Sequence, residues 1–430
     1  MTTIRQWHLP AAAPLLPAAE RAAFFACLAL PPALLHARAL AEILIAAIDV
    51  LFLWRCVVLR DTAWLRHPFS LAAGAWWVWL ALCSLLGTGG LLLGLLAVRL
   101  PVLAMALAHW VLADAPRRQR AIWLMLALSA AWIALESWQQ YLTGRNIFGQ
   151  ERWPDRALTG PFYKPRAAPA LILLMFPVLL PILGRLLNSA LLAPKIAACL
   201  LTALSAATLV LIGQRMPTAL MVLGFAASAL LLPRLRLAAG AAGLAAVLLV
   251  ASLPWTSPEA YYKLVGQTAL QLAHFSQSDY GLIFTRALTV AQPHPWIGLG
   301  FDAFRRTCSA PWSWHGVGFI GIPTLQQNGG MAACNLHPHN YYLEALDNAG
   351  WPGLVLFSAM AATCMVLLGR GLWRSAPPGR AGLFVGVLVA LWPIASTSAF
   401  TSIPNAGWLF LIIGFGLALA PGNARRASPF

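Results

Sequence analysis

Residues 167–187 read AAPALILLMFPVLLPILGRLL, an apolar run in which Arg185 is the one charged residue. A helix of about 20 such residues crosses a hydrocarbon core roughly 30 Å thick. Runs of this kind recur along the whole chain, in which 60% of the 430 residues are hydrophobic and 10% are charged. A soluble domain carries about 25% charged residues. Together with a mean hydropathy of +0.73, this composition predicts an all-α integral membrane protein.

The apolar runs predict about twelve transmembrane helices. They cover approximately residues 18–36, 39–59, 67–86, 90–113, 120–142, 167–187, 191–213, 217–233, 237–254, 341–369, 380–400 and 405–421. Nine of these helices, with a connecting loop at 143–166, lie in residues 1–254. A large loop with short helices occupies residues 255–340, and the last three spans and the C-terminus occupy residues 341–430.

The basic residues indicate an orientation in the membrane. A net charge of +16 would suggest a nucleic-acid partner for a soluble protein, but here the arginines cluster in alternate connections between the spans, for example at 117–120 and 370–380. Cytoplasmic connections are the ones that carry excess Lys and Arg. We therefore expect cytoplasmic termini, no nucleic-acid partner, and outward-facing segments at 143–166, 213–217 and 255–340.

Arg215 is the most informative of the outward cations. It lies in the connection GQRMP, residues 213–217, which is too short to leave the bilayer surface. A guanidinium held at that depth suits an anionic ligand at the lipid headgroup level. The alternative for the other outward cations is a solvated loop surface.

The large loop predicts two helices and a turn. Residues 259–275 are amphipathic and follow a span, so they either lie along the membrane surface or pack against the spans. Residues 279–292 form a second predicted helix, which carries Arg286 and ends at the turn PHPWIGLG, residues 293–300. Cys308 and Cys334 lie in the same loop and would form either a disulfide or two free thiols.

The loop ends on the sequence HPHNYYLEALDNAG, residues 337–350. Asn340 is placed to cap the next helix, which would hold His339 at the mouth of the bundle. Gly350, followed by Pro352, predicts a break in that helix. A histidine with an ordinary pKa near ~6.5 can accept a proton from a hydroxyl group. Packing at the membrane interface is the alternative for a single histidine.

Four patterns in this order resemble the O-antigen ligase and polymerase superfamily of bacterial inner membranes. The residues that carry the resemblance are Arg156-x-x-x-Gly160-x-Phe162-x-x-Pro165, Arg215 between two spans, 293–300 after a helix with Arg286, and His339-Asn340 with Leu343-Glu344 and Gly350.

Within that superfamily the chain looks most like an O-antigen ligase. The resemblance implies the architecture of C-type membrane glycosyltransferases and transfer of O-antigen from undecaprenyl pyrophosphate to the lipid A–core oligosaccharide on the periplasmic side. It also implies that no metal, nucleotide or other cofactor is needed. His339 would be the general base, and Arg215 and Arg286 would bind the pyrophosphate. His337, Asn340, Glu344, Arg156 and Lys164 would have supporting roles.

Three alternatives remain open at this point. An O-antigen polymerase would use a second lipid-linked glycan as the acceptor, and a protein-glycosylating ligase would use a pilin-like hydroxyl. A lipid or glycan transporter, from another class, would need charges near the bilayer midplane. Glu42, Asp49, Arg55 and Arg99 do lie at membrane depth, but pairing within the bundle is the expected role of these side chains.

Overall fold

The apolar runs fold into long helices in the computed structural model, which describes residues 13–87, 89–310, 334–395 and 398–421. No strand occurs within these ranges, in which Arg145 and Glu151 form an isolated bridge. The helices of the first half are α1 (Leu16–His36), α2 (Arg38–Leu59), α3 (Pro68–Leu86), α4 (Leu91–Leu96), α5 (Arg99–Ala106), α6 (Pro116–Thr143), α7 (Ala167–Leu187) and α8 (Leu192–Ile212).

The second half alternates long helices with short ones. Its helices are α9 (Arg215–Leu231), α10 (Arg236–Thr256), α11 (Pro258–Tyr261), α12 (Gln267–Ala273), α13 (Asp279–Ala291), α14 (Ala303–Thr307), α15 (Tyr341–Gly369), α16 (Pro378–Ala390) and α17 (Asn405–Ala418). A π turn at Tyr262–Gly266 joins α11 to α12. We call this continuous run, residues 258–273, the surface helix, because none of its residues is buried.

Each predicted span overlaps a helix or a helical run. Among the described residues, eight helical runs are long and apolar enough to cross a membrane, and α9, α16 and α17 are shorter apolar helices. Helix α2 is long enough but carries Arg38, Glu42, Asp49 and Arg55. The chain is therefore a multi-pass membrane protein, and a count of twelve crossings stays a prediction.

The centre of the bundle is formed by α5, α7, α16 and α17. Almost every residue of α17 is buried, and α7 packs along α16 and α17 along α5. A Cβ on Gly382 of α16 would lie 2.5 Å from the carbonyl oxygen of Phe176. Small residues thus allow the backbones to approach closely, as in other membrane bundles.

The charged residues at membrane depth are partly paired, as expected. Arg99 forms an ion pair with Glu42 at 2.9 Å. Arg55 instead pairs with Asp61, also at 2.9 Å, just beyond the end of α2. Within the described residues, the oxygens of Asp49 have no hydrogen-bond partner, so this side chain forms no hydrogen-bonded pair there.

The predicted span 380–400 is too long. Helix α16 ends at Ala390, and Pro393, which lacks a backbone N–H, follows three residues later. The described residues between α16 and α17 leave the helix and contact α15: the Tyr342 hydroxyl donates to the carbonyl of Leu391 at 2.8 Å. This irregular segment contributes to the site described next.

Candidate functional site

A cavity of about 390 Å³ lies where the connections at one end of the bundle meet. Its walls come from residues 155–169, from the start of α9, from the surface helix, from the start of α13, from the residues before α15, and from 398–405. Arg215, His337 and His339, which are far apart in the sequence, all line it. The structure thus brings together the candidate base and one of the two candidate phosphate-binding arginines.

Three cations face this cavity, namely Arg166, Arg215 and Lys263. The Arg215 guanidinium donates to Oε1 of Gln271 at 2.6 Å, and the Lys263 ammonium pairs with the Asp155 carboxylate at 2.7 Å. The exposed side chain of Arg166 makes no hydrogen bond with the part of the chain that the structure describes. Asp155 is the one carboxylate among the described lining residues, so the wall has a net positive charge.

The start of α9 adds backbone donors to the cation-lined wall. Arg215 is the first residue of this helix, and Gln214 and Met216 beside it also line the cavity, together with Pro217, which has no backbone N–H. The first N–H groups of a helix have no partner within the helix and carry partial positive charge. The Gln214 side chain donates to the carbonyl of Pro165 at 2.7 Å, which holds the end of the 143–166 loop against the helix.

The two histidines contact each other in the cavity lining. Their ring centroids are 4.4 Å apart, and the edge of Tyr280 lies against His339 at 6.3 Å. His339 has a φ of 55°, a left-handed conformation that is uncommon for a bulky residue and is concentrated at functional sites.

Asn335 defines which nitrogen of His339 is available. Its Oδ1 accepts from the backbone N–H of Leu336 at 2.7 Å, so its Nδ2 is the atom that faces Nε2 of His339 at 3.0 Å. An amide nitrogen can only donate. With Nε2 as the acceptor of this hydrogen bond, the neutral ring carries its proton on Nδ1, and Nε2 has the lone pair that can accept a proton.

Asn340 and Glu344 support the site without lining it. The Asn340 Oδ1 caps α15 by accepting from the N–H groups of Tyr342 and Leu343 at 2.9 and 3.1 Å, as predicted. Its Nδ2 donates to the carbonyl of Pro393 at 2.7 Å. The buried Glu344 carboxylate accepts from the N–H of Phe400 at 2.9 Å. Both side chains attach the segment after α16 to the helix that follows His339.

Arg286 lies apart from the cavity. Its side chain is fully buried on α13, six residues after Tyr280. Burial lowers the pKa of its guanidinium, and the nearby thiols of Cys334 and Cys308 partly offset that effect. The side chains of these two cysteines are hydrogen-bonded to each other. The predicted contact of Arg286 with a pyrophosphate therefore needs a rearrangement around α13.

Arg156 and Lys164 are exposed and lie outside the cavity lining. Arg156 forms an ion pair with Glu259 of the surface helix at 2.5 Å, next to the Asp155–Lys263 pair. In this structure Arg156 contacts the surface helix and not the cavity, and its supporting role stays a prediction.

Sequence reasoning missed Arg166, Lys263 and Tyr280 as members of the site, together with Ser398, Ser402 and Asn405. Arg166 and Lys263 carried a signal, because they are cations on the side where the positive-inside rule expects few. The polar residues Ser398, Ser402 and Asn405 carried a weaker signal, because they are among those that interrupt an otherwise apolar part of the sequence. Within the described ranges, no three His, Cys, Asp or Glu side chains are grouped so as to hold a metal ion.

Comparison with known proteins identifies a family over part of the chain. A family model described as O-antigen ligase matches residues 200–358. The match runs from within α8 to within α15 and includes Arg215, Arg286 and His339, whereas Arg156 and Lys164 lie before it. No curated protein matches the sequence. The family match confirms the predicted resemblance of this membrane protein to the O-antigen ligase superfamily.

Proposed function

We propose that the protein is an inner-membrane glycosyltransferase that moves O-antigen from undecaprenyl pyrophosphate to the lipid A–core oligosaccharide on the periplasmic face. The observation that carries the proposal is the meeting of His339 with Arg215, Arg166 and Lys263 around one cavity, in a chain whose residues 200–358 match the O-antigen ligase family. A base and several phosphate-binding groups are the two components that this transfer needs.

The cation-lined wall suits the pyrophosphate of the donor. Arg215 supplies a planar fork that can bind phosphate through two parallel hydrogen bonds, and Arg166 and Lys263 add charge beside it. The N-terminus of α9 contributes N–H groups in the manner of other phosphate sites. As the glycosyl–phosphate bond breaks, negative charge grows on the bridging oxygen, and fixed cations stabilise that charge. Arg286, predicted to share this role, would join after a rearrangement of α13.

The histidine wall suits the acceptor. A sugar hydroxyl attacks the anomeric carbon, forms the new carbon–oxygen bond and transfers its proton to Nε2 of His339, while the pyrophosphate leaves on the opposite side of that carbon. In-line attack of this kind inverts the anomeric configuration. The hydroxyl takes the position in which Asn335 now faces Nε2. A base in hydrogen-bonding reach typically contributes ~10²–10⁴ in rate.

Lipopolysaccharide profiles of a deletion strain test the proposal. A strain without a ligase should produce bare lipid A–core and accumulate lipid-linked polymer, and the wild-type gene should restore the full ladder. Core that carries a single repeat unit would instead indicate a polymerase. An unchanged lipopolysaccharide together with loss of a glycosylated pilin-like protein would indicate a protein ligase. Accumulation of donor on the cytoplasmic side alone would indicate a transporter.

A further inference from the structure

The surface helix carries apolar side chains that the described part of the chain leaves exposed. Tyr262, Leu270 and Leu272 are 58%, 54% and 73% exposed. Its charged residues are Glu259 and Lys263, and both are paired with residues of the 143–166 loop. Exposed large apolar side chains on a helix whose charges are all paired mark a surface that contacts a membrane or a partner.

The surface helix follows a transmembrane helix directly, which places it next to the bilayer. It begins at Pro258, directly after α10 and its cap residue. Only 17% of the most apolar stretch of α10 is buried, so this span is exposed to lipid along most of its length. Trp255 at the end of α10 is 84% exposed, and tryptophan is enriched at the membrane–water interface. The surface helix therefore starts at the level of that interface.

The other side of the surface helix is attached to the candidate site. Glu259 pairs with Arg156 at 2.5 Å, Lys263 pairs with Asp155 at 2.7 Å, and Gln271 accepts from Arg215 at 2.6 Å. These contacts are distributed along the length of the helix and connect it to residues in or beside the cavity. They fix the helix beside the cavity, with Lys263 in its lining.

We propose that the surface helix lies in the interfacial layer of the bilayer, with Tyr262, Leu270 and Leu272 inserted between the lipid headgroups and the acyl chains. Amphipathic helices at this depth bury their apolar face about 5–10 Å into the boundary. Because Lys263 also lines the cavity, this arrangement keeps the cation-lined wall at the depth of lipid phosphates. The inference rests on the membrane assignment of the chain and does not require the proposed transfer reaction.

Spin-label accessibility in a phosphatidylcholine nanodisc tests the depth of the helix. Five native cysteines are buried, so a background with Cys199→Ser and Cys334→Ser removes the two that are partly accessible. A nitroxide is attached at Leu272→Cys or, in case that variant folds poorly, at Leu270→Cys. The matched control is Ser276→Cys, an exposed polar position just after the helix. Collisions with oxygen, which concentrates in lipid, are compared with collisions with a water-soluble nickel chelate.

The expected result is a severalfold higher ratio of oxygen to nickel collisions at positions 272 and 270 than at position 276. Equal ratios at the three positions would show that the helix lies in water and would overturn the proposal. Low collision rates with both reagents at 272 and 270 would show a protein contact, such as a second copy of the chain, and would overturn it as well.

Discussion

The backbone N–H of Trp351 donates to the carbonyl oxygen of Pro295 at 2.7 Å. This bond crosses from α15 to the turn at 293–300 at the point where the helix is interrupted by Gly350, which has a φ of 66° and a ψ of −169°. The N–H groups of Leu299 and Gly300 donate in turn to the carbonyls of Asp347 and Asn348, each at 2.9 Å. The break in the helix thus provides the groups that hold the turn.

Replacement of Gly350 by alanine should disrupt this connection. A Cβ at this position would lie 2.5 Å from the Pro295 oxygen, and the left-handed φ adds strain for any residue with a side chain. We expect Gly350→Ala to cost roughly 3 kcal/mol or more, seen as a lower unfolding temperature in detergent. Gly240→Ala on α10 is the control, since no atom lies within 4 Å of its Cβ. Equal unfolding temperatures for the two variants would contradict this account.

Much of this helical architecture is predictable from local patterns. The break in α15 follows from Gly350 and Pro352 in one apolar run, and the cap at Asn340 follows from its side chain directly before the helix. The end of α16 is harder to predict from the local sequence. Residues 391–400 are apolar enough for a span, but the contacts of Leu391, Pro393 and Phe400 with the start of α15 hold the described residues, 391–395 and 398–400, in an irregular path. Those partners come from a distant part of the sequence.

Part of the candidate site could also be predicted from local sequence. Arg215 is confined by a five-residue connection, and His339 is confined by the cap of α15, so local sequence limits where both lie. Arg286 lies on a helix whose exposed and buried faces depend on how α13 packs against α15. Its burial could not be inferred from the spacing of apolar residues alone. Membership of Lys263 in the site likewise depends on its long-range pair with Asp155.

Conservative changes at the arginines should weaken transfer. Lysine keeps the charge of Arg215 and Arg286 but lacks the two-pronged geometry. A hydrogen bond to a charged group contributes about 1.5–3 kcal/mol, so we expect Arg215→Lys and Arg286→Lys each to lower ligation about 10- to 100-fold while membrane insertion is unchanged. Arg145→Lys, at an exposed ion pair outside the cavity, serves as the control. A rate near that of the wild type at position 215 or 286 would remove that arginine from phosphate binding.

The two loop cysteines should differ in their reaction with alkylating reagents. Burial raises the pKa of the Cys308 thiol to about 12, helped by its hydrogen bond with Cys334. Because the thiolate is the reactive form, Cys308 should react slowly at pH 8 and faster by about tenfold for each pH unit up to pH 10 in folded protein. Cys334 is less buried and should be modified first. Mass spectrometry without reductant measures both sites, and a peptide pair linked by a disulfide would show that the thiols are oxidised.

The predicted orientation is open to a direct labelling test. Ser276→Cys lies in the segment expected to face outward, and Ala190→Cys lies between α7 and α8 on the expected cytoplasmic side. With Cys199 and Cys334 replaced by serine, an impermeant thiol reagent should label position 276 in intact spheroplasts and position 190 only after permeabilisation. The reverse pattern would invert the topology and move the cavity to the cytoplasmic face.

Removal of the base should abolish transfer and leave the fold intact. His339→Ala is expected to reduce ligation by ~10²–10⁴, measured with purified donor and acceptor and normalised to folded protein. Because His339 has a left-handed φ of 55°, His339→Asn is the better-matched variant, since asparagine tolerates that conformation and cannot act as a base at neutral pH. Binding of the lipid-linked donor should persist in both variants.

His337→Ala provides the internal comparison, because its ring contacts His339 at 4.4 Å and lines the same cavity. A packing role for the pair would lower the amount of folded protein in all three variants to a similar extent. A role as the base predicts instead that His337→Ala keeps measurable activity, whereas His339→Asn is folded and inactive. Ligation by His339→Asn at a rate close to that of the wild type would mean that another group accepts the proton of the acceptor hydroxyl.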